Sequence, residues 1–185
     1  LGEPKQLILV DGVTLLNKVV MEAIKSNASK VVVMLGAYSN EIERRLPEYL
    51  GRLNTIVFSG WEKGMGATIK EGVSQVLLAN PEVGNLIIAT CDQPYVTSLL
   101  FNKLIEKAEK AEETDIIASK YNAESYGVPV LFKRGIINTI LDIDDRKGAK
   151  SVIAEHLSET GFIDFPQGMI DIDTRQDLEK FRYGL

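Results

Sequence analysis

Short runs of apolar residues alternate along the chain with stretches whose apolar residues recur every three or four positions. The runs have the length and the Val, Ile and Leu content of strands buried on both faces of a sheet, and they cover 30–35, 54–58, 86–90, 115–119 and 162–165. A further strand is predicted over 126–132, and a short extended piece over 7–10. The intervening stretches predict helices over 13–26, 39–47, 73–79, 97–111, 134–141, 149–157 and 175–181. This regular alternation predicts a three-layer, doubly wound α/β fold with a mostly parallel central sheet.

Three local signals add detail to these elements. The helix over 97–111 carries a stripe that we expect to face the core, formed by Leu99, Leu100, Leu104, Ile105 and Ala108. Thr174, followed three residues later by Asp177, has the pattern of a capping box and predicts the start of the last helix. Pro129 cannot donate a backbone hydrogen bond, which places its strand at a sheet edge or at a crossover.

The composition fits one domain and argues against several classes of partner. The chain has 185 residues, of which 45% are hydrophobic and 25% charged, and we treat residues 1–185 as a single domain. A net charge of −5 and a pI of about 5.1 argue against nucleic acid or an anionic membrane as a partner. No apolar run reaches the roughly 20 residues of a membrane span. Because no signal peptide is recognisable either, the expected location is the cytoplasm.

The single cysteine and the single histidine limit the metal chemistry. Cys91 and His156 exclude an internal disulfide, a thiolate cluster and a multi-histidine metal site. A divalent metal would therefore be bound by oxygen ligands, which points to Mg²⁺ rather than Zn²⁺. We expect Cys91 to be a small buried side chain without a redox role.

The strongest chemical signal is a pair of acidic sites. Asp92 follows the buried run 86–90, and ligands of open α/β sheets gather beyond the carboxyl ends of such strands. Asp171 and Asp173 precede the last helix, and a doubly wound fold can bring them to the same edge. Two converging carboxylates without a nearby histidine suit a Mg²⁺ site that substrate phosphate completes. On position alone, Asp92 is equally well explained as the cap of the helix that follows.

A glycine-rich loop and several lysines are candidates for binding phosphate. Gly64 and Gly66 precede a helical pattern, and free N–H groups at a helix N-terminus bind phosphate or another anion. The same spacing also occurs in plain turns. Lys5, Lys63 and Lys147 are candidates for the positive charge, and each, taken singly, is equally an ordinary surface lysine.

Taken together, the motifs resemble the MobA-like nucleotidyltransferases, most closely the molybdenum-cofactor cytidylyltransferases. They follow the family's order over nearly the whole chain: Leu1-Gly2-Glu3-Pro4-Lys5-Gln6-Leu7-Ile8, Gly64-Met65-Gly66-Ala67-Thr68, Asp92-Gln93-Pro94, Gly127-Val128-Pro129, Asp145-Arg146-Lys147-Gly148-Ala149-Lys150 and Asp171-Ile172-Asp173-Thr174. The first motif resembles the end of a family signature that opens with a strand and a glycine-rich loop. That strand and that loop are expected upstream of residue 1.

The resemblance implies a Rossmann-like nucleotidyltransferase fold and a Mg²⁺-dependent reaction. A nucleoside monophosphate would pass from an NTP, expected to be CTP, to the phosphate of molybdopterin or molybdenum cofactor, with release of pyrophosphate. By resemblance, Lys5 neutralises phosphate charge, and Asp92 and Asp173 bind the metal. The nucleotide pocket is assigned to Lys5, Gly64, Met65, Gly66, Thr68 and Asp92, and the second substrate to Gln93, Pro94, Lys147 and Gly148. A molybdenum hydroxylase is the implied client.

Two alternatives remain open. A nucleotidyltransferase that acts on a sugar phosphate or a polyol phosphate would carry similar motifs. A non-catalytic protein that matures or inserts molybdenum cofactor is compatible with the absence of the glycine-rich loop from the sequence as given. A dinucleotide-dependent dehydrogenase is not favoured, because no G-x-G-x-x-G follows a strand.

Overall fold

In the computed structural model, which describes residues 4–47 and 51–183, strands and helices alternate along the chain. The strands are β1 (Leu9–Val10), β2 (Val13–Thr14), β3 (Val31–Leu35), β4 (Leu53–Val57), β5 (Asn85–Ile88), β6 (Ile116–Lys120), β7 (Tyr126–Lys133) and β8 (Thr160–Asp164). The helices are α1 (Leu15–Lys25), α2 (Ser39–Glu43), α3 (Met65–Ala79), α4 (Ser98–Lys110), α5 (Arg134–Ile140), α6 (Ala149–Glu155) and α7 (Arg175–Tyr183). Single turns of 3₁₀ helix cover Lys5–Leu7, Trp61–Lys63, Leu157–Glu159 and Pro166–Met169. Leu1, Gly2 and Glu3, which open the first motif, lie outside the described residues.

The strands form two sheet segments and a small hairpin. β1 and β2 make the antiparallel hairpin, and β3 pairs in parallel with β4. The other segment has the strand order β5-β7-β6-β8, in which β6 and β8 are parallel and β7 is antiparallel to both of its neighbours. Only residues 121–125 connect β6 to β7, and a connection that short joins antiparallel strands. The predicted α/β class is confirmed by the alternating strands and helices. The sheet is mixed, because β7 runs antiparallel to both of its neighbours whereas the pairs β3–β4 and β6–β8 are parallel.

The position of β7 corrects the expectation for Pro129. β7 lies between β5 and β6, so Pro129 belongs to an interior strand rather than to a sheet edge or a crossover. Its pairing with β6 shifts in register, because Ala118 pairs with Val130 while Ser119 pairs with Gly127. Pro129 thus lies in a bulge, where a missing N–H interrupts no ladder hydrogen bond. Its carbonyl accepts a hydrogen bond from the Ser119 hydroxyl at 2.6 Å.

The helices begin where the sequence supplies caps. The hydroxyl of Thr14 accepts a hydrogen bond from the backbone amide of Asn17, so α1 begins after Thr14 and not at residue 13. Thr97 caps α4 in the same way through the amide of Leu100. α3 begins well before the predicted residue 73 and includes the second glycine of the glycine-rich loop. None of the described helices has both the length and the apolar character needed to cross a membrane.

The core lies between the sheet and helices on both of its faces. α1 packs against β3 and α4, whereas α3 packs against β3 and α5. The largest buried cluster includes Ile116, Val130, Phe132, Ile137, Ile140, Val152 and Ile153. The predicted inner face of α4 holds for Leu100, Leu104 and Ala108, but Leu99 is 70% exposed. Phe101 is buried instead, because with 3.6 residues per turn the apolar face runs through positions 100, 101, 104 and 108.

Candidate active site

Three segments that are distant in sequence meet at the carboxyl end of β5, where the ammonium group of Lys5 joins them. Lys5 Nζ lies 2.7 Å from Asp92 Oδ2 and 2.8 Å from Asp173 Oδ1. Lys5 begins a 3₁₀ turn that is anchored by the buried Leu7 and Ile8. The structure thus brings together the two carboxylates that the fold was expected to place at one edge.

One backbone hydrogen bond holds the C-terminal acidic segment at this edge. The amide of Ile172 donates to the carbonyl of Asp92 at 2.9 Å. Ile172 is fully buried in a cluster with Ile8, Val10 and Leu15. Because successive side chains of an extended segment point to opposite sides, burial of Ile172 leaves Asp171 and Asp173 exposed.

The predicted capping box fixes the residue that follows Asp173. The amide of Thr174 donates to Asp177 Oδ2 at 2.8 Å, and the amide of Asp177 donates to Thr174 Oγ1 at 3.1 Å. These reciprocal bonds confirm the sequence pattern. The hydrogen bond from the Thr174 side chain also holds the pKa of Asp177 below its usual value.

Burial and charge oppose each other at the central groups. Burial alone would raise the pKa of Asp92, but hydrogen bonds from Lys5 and Thr90 outweigh it and hold that pKa below its usual value. Burial would likewise lower the pKa of Lys5, yet its hydrogen bonds to Asp173 and Asp92 outweigh this effect, and the pKa is raised. The pKa of Asp171 is raised by partial desolvation of its exposed side chain and by the negative charges of Asp92 and Asp173. Two carboxylates thus contact the ammonium group of Lys5, and a third, that of Asp171, lies within the range of their charges.

The oxygen ligands of this cluster fit a hard divalent cation. Asp92 Oδ1 is buried and has no hydrogen-bond partner among the described residues, which leaves a carboxylate oxygen available. The Asp173 side chain is 61% exposed and is accessible from solvent. Within the described ranges, no group of three or more His, Cys, Asp and Glu side chains could hold a metal by itself. A cation bound by Asp92 and Asp173 would therefore keep water or substrate oxygens as its other ligands, as Mg²⁺ commonly does.

The second glycine of the glycine-rich loop is required by a close contact with the loop that contains Lys147. A Cβ on Gly66 would lie 2.1 Å from the carbonyl oxygen of Asp144 and 2.7 Å from that of Lys147. Both atoms belong to the backbone and cannot rotate away. Only glycine therefore allows the first turn of α3 to pack here.

The same contact corrects the expectation of free amides at the start of α3. The amide of Ala67 donates to the carbonyl oxygen of Asp145 at 3.2 Å. The ammonium of Lys70 pairs with the Asp145 carboxylate at 2.6 Å and holds its pKa below the usual value. Part of the predicted anion site is therefore not available to phosphate, because the amide of Ala67 already donates to the carbonyl of Asp145.

The two loops assigned to the nucleotide and to the second substrate are neighbours in space. A Cβ on Gly148 would lie 2.9 Å from Met65 Sδ. Lys147 is exposed, and its ammonium lies 3.9 Å from the Glu155 carboxylate, which is a loose pair. One groove of about 1310 Å³ runs between β3 and β5, and the predicted site residues that line it are Lys5, Asp92, Met65 and Thr68.

Gln93 and Pro94 are buried, and the Gln93 amide is used inside the protein. Gln93 Nε2 donates to the carbonyl of Gly168 at 2.9 Å and lies 3.0 Å from the Tyr121 hydroxyl oxygen. The Tyr121 hydroxyl in turn donates to the Val128 carbonyl. No local pattern marks Tyr121 or Gly168 as partners of Gln93, so the sequence alone does not reveal them. Their contacts fix the turn that carries Asp92.

Cys91 lies beside this site without the character of a nucleophile. Burial and the negative charge of Asp92 raise the pKa of the Cys91 thiol to about 11. A thiol with so high a pKa is protonated at neutral pH, and the thiolate is the reactive form. Cys91 packs instead against the apolar cluster of α1 and β3 and is partly rather than fully buried.

Comparison with known proteins gives a family and a fold. A family model described as the MobA-like NTP transferase domain matches residues 1–160. No curated protein matches the sequence significantly.

Several solved structures share the fold at low identity. Rv0371c from Mycobacterium tuberculosis H37Rv, in complex with manganese, has a TM-score of 0.76 at 20% identity, covering 98% of this chain and 92% of its own. A nucleotidyl transferase from Methanothermobacter thermautotroptrophicus (Mth528) has a TM-score of 0.79 at 17% identity, with 97% and 84% covered. The 4-diphosphocytidyl-2C-methyl-D-erythritol synthase from Anaerococcus prevotii DSM 20548 has a TM-score of 0.74 at 13% identity, with 95% and 88% covered.

Proposed function

The chain belongs to the MobA-like NTP transferase family, and we propose that it transfers a nucleoside monophosphate from an NTP to the phosphate of a second substrate. The proposed nucleotide is CTP, and the proposed acceptor is molybdopterin or its metal-loaded form. The observation that carries this proposal is the contact of Lys5 with both Asp92 and Asp173 at the carboxyl end of β5. Ligands of open α/β sheets bind at this edge.

Asp92 and Asp173 are the residues that would hold Mg²⁺ or Mn²⁺, and a structure with the same fold, Rv0371c, is known in complex with manganese. When bound, such a cation offsets negative charge on phosphate oxygens. Lys5 adds a fixed positive charge beside them, and its raised pKa keeps it protonated throughout the neutral range. This charge supports nucleotidyl transfer, in which positioning and electrostatic stabilisation do most of the work.

The remaining assignments divide into contact residues and supporting residues. We assign the nucleotide to the edge formed by Gly64, Met65, Gly66 and Thr68, and the second substrate to the exposed Lys147 with Gly148. Gln93 and Pro94 support the site from inside, since they hold the turn after β5. In the same proposal, residues 1–185 act as one cytoplasmic domain. Its product, the dinucleotide form of the cofactor, would go to a molybdenum hydroxylase as the client enzyme.

A second candidate keeps the reaction and changes the acceptor. The fold is shared with 4-diphosphocytidyl-2C-methyl-D-erythritol synthases, and this likeness favours transfer of a cytidylyl group to a polyol phosphate. The same residues would hold the nucleotide in both cases. The two candidates differ in what lies against the loop of Lys147 and Gly148.

Pyrophosphate release tests both candidates. CTP, GTP, ATP and UTP are each supplied with Mg²⁺ and with molybdopterin, a polyol phosphate or a sugar 1-phosphate as the acceptor. We expect CTP with molybdopterin to give the highest rate. A higher rate with the polyol phosphate would replace the first candidate by the second, and nucleotide binding without release for any acceptor would favour a non-catalytic maturation protein.

Matched variants connect the activity to the site. Asp92→Asn and Asp173→Asn should each lower pyrophosphate release on the order of 100-fold or more, because each removes charge from the proposed metal site. Asp164→Asn is the control, since Asp164 is an exposed carboxylate at the end of β8. Equal rates for Asp92→Asn and Asp164→Asn would exclude Asp92 from the chemistry.

A further inference from the structure

Tyr121 follows β6 at the carboxyl edge of the sheet, and its ring is packed on several sides. A Cβ on Gly168 would lie 2.3 Å from Tyr121 Cε1, and a Cβ on Gly127 would lie 2.7 Å from the Tyr121 hydroxyl oxygen. The ring of Phe165 meets the Tyr121 ring edge-on, with the two centroids 6.2 Å apart and the planes at 72°. Close packing on these sides fixes the position of the Tyr121 ring.

The hydroxyl of Tyr121 connects an interior strand to the side chain of Gln93. It donates to the carbonyl of Val128 in β7 and accepts from Gln93 Nε2 at 3.0 Å. Burial raises the pKa of Tyr121 above its ordinary value, so the hydroxyl keeps its proton at neutral pH and remains a donor. β7 lies between β5 and β6, and its residues 130–132 are fully buried. The hydroxyl is therefore anchored to a closed part of the sheet.

The side chain of Gln93 connects this anchor to the segments of both proposed metal ligands. Gln93 is 2% exposed and directly follows Asp92 in the chain. Its Nε2 also donates to the carbonyl of Gly168 at 2.9 Å. Gly168 belongs to the 3₁₀ turn Pro166–Met169, and Asp173 follows shortly after this turn. One side-chain amide therefore joins the segment of Asp92 to the segment of Asp173, and the Tyr121 hydroxyl holds that amide in place.

The position of Asp173 depends on the backbone that carries it. The side chain of Asp173 is 61% exposed, whereas that of Asp92 is 16% exposed and is held more closely by its surroundings. The bonds from Ile172 to the Asp92 carbonyl and from Gln93 to the Gly168 carbonyl fix the backbone before Asp173. Partners that orient metal ligands from behind commonly contribute about 10–100-fold to metal affinity.

We propose that Tyr121 is a positioning residue for the divalent cation. Its hydroxyl orients the Gln93 amide, and this amide holds the segments of Asp92 and Asp173 at the spacing that a shared cation requires. Tyr121 acts through Gln93 and does not bind the cation itself. This inference rests on the proposed function, in which the two carboxylates hold Mg²⁺ or Mn²⁺.

Binding of Mn²⁺ alone to the full chain tests the proposal, with the free ion measured by electron paramagnetic resonance. Tyr121→Phe keeps the ring and removes only the hydroxyl, and we expect it to bind Mn²⁺ about tenfold more weakly than the wild type. Gln93→Leu should weaken binding at least as much. The double variant should bind no more weakly than Gln93→Leu, because both changes act through one amide. Losses of affinity that simply add would overturn the proposal.

Ser119→Ala is the matched control. The buried Ser119 hydroxyl donates to the carbonyl of Pro129 at 2.6 Å, so the variant removes a similar bond to β7 that does not involve Gln93. We expect Ser119→Ala to lower the thermal midpoint and to leave the Mn²⁺ affinity unchanged. Equal losses of affinity in Ser119→Ala and Tyr121→Phe would indicate a general loosening of β7 and would overturn the proposal.

Pyrophosphate release at increasing Mn²⁺ concentration distinguishes this role from the proposed reaction. The rate of Tyr121→Phe should approach that of the wild type as Mn²⁺ nears saturation, because the weakened site is then filled. A deficit that stays constant at saturating Mn²⁺ would overturn the positioning role. An active wild type with the same Mn²⁺ affinity as Tyr121→Phe would overturn the role of Tyr121 alone. A wild type that neither binds Mn²⁺ nor releases pyrophosphate would overturn the proposed function and this inference with it.

Discussion

The two sheet segments use similar residues and reach different degrees of burial. β6 has neighbours on both sides, and Ile116 and Ile117 are fully buried. β3 has three valines where β6 has two isoleucines, yet within the described ranges it pairs with one strand only, and Val32 is only partly buried. The difference shows that an apolar run predicts a strand but not how deeply the strand is buried. Burial of the strand depends on whether other strands pair with both of its edges.

The largest effect should separate the two segments directly. Ile117→Ala should lower the free energy of unfolding by about 2–5 kcal/mol, because it opens a cavity in a closed part of the core. Val32→Ala should cost less than about 1 kcal/mol, because its side chain already lies beside open space. Denaturant unfolding measures both variants. Equal losses of unfolding free energy in the two variants would show that the side chains beside the groove are packed as tightly as those of β6.

The next effect concerns the point where the groove reaches the acidic cluster. Lys5→Met leaves the Asp92 side chain, 16% exposed, without its ammonium partner, which should cost about 1–3 kcal/mol at neutral pH. The pKa of Asp92 is lowered in the folded protein, so this stabilisation is present above the unfolded carboxyl pKa of about 4 and is lost as the pH falls through the folded pKa.

Unfolding curves across pH provide the measurement for Lys5→Met. The gap between the wild type and Lys5→Met should narrow below about pH 4. The double variant Lys5→Met/Asp92→Asn should recover part of the loss, because it no longer leaves a buried charge. A gap that is constant down to pH 2 would mean that the ion pair is not its cause.

Close packing at the carboxyl edge can be tested with two glycines. Gly66→Ala should cost about 1–3 kcal/mol, because the new methyl group meets the backbone of Asp144 and Lys147. Gly84→Ala is the control, since a Cβ there would meet nothing within 4 Å. Thermal unfolding compares the two. Equal midpoints would show that the loops are loosely packed and resemble the open groove more than the closed core.

The smallest expected loss of stability comes from removing helix caps, and two matched caps allow a comparison. Thr14→Ala and Thr97→Ala each remove a threonine hydroxyl that caps a helix, and each should cost about 1 kcal/mol. α1 lines the groove, whereas α4 also packs against β6 and β7. If the sheet segment of β3 and β4 unfolds separately from the segment that contains β6, Thr14→Ala should speed amide exchange in α1 and β3. The exchange of amides in β6 should then be unchanged. Uniform faster exchange in every strand would show one cooperative unit.

The sequence predicts well those parts of the site that depend on local patterns. Asp92 is predicted as a site residue because it follows an apolar run, and the capping pattern of Thr174 and Asp177 predicts the start of the last helix. Lys5 is predicted by its place in a family motif. The contact between Gly66 and the loop of Lys147 could not be predicted, because it depends on how two distant segments pack. The same holds for Pro129, whose interior position depends on the order of the strands and whose missing N–H is accommodated by a register shift.

The hydrogen bond between Ile172 and Asp92 makes the C-terminal residues part of the candidate site. The family match ends at residue 160, yet this bond ties residues from beyond that point to the turn after β5. Removal of the residues that follow 171 would take away one proposed metal ligand, Asp173, together with the buried Ile172, while leaving the largest apolar cluster intact. If Asp173 holds the metal as proposed, we expect a protein shortened in this way to lose pyrophosphate release by a larger factor than its thermal midpoint suggests.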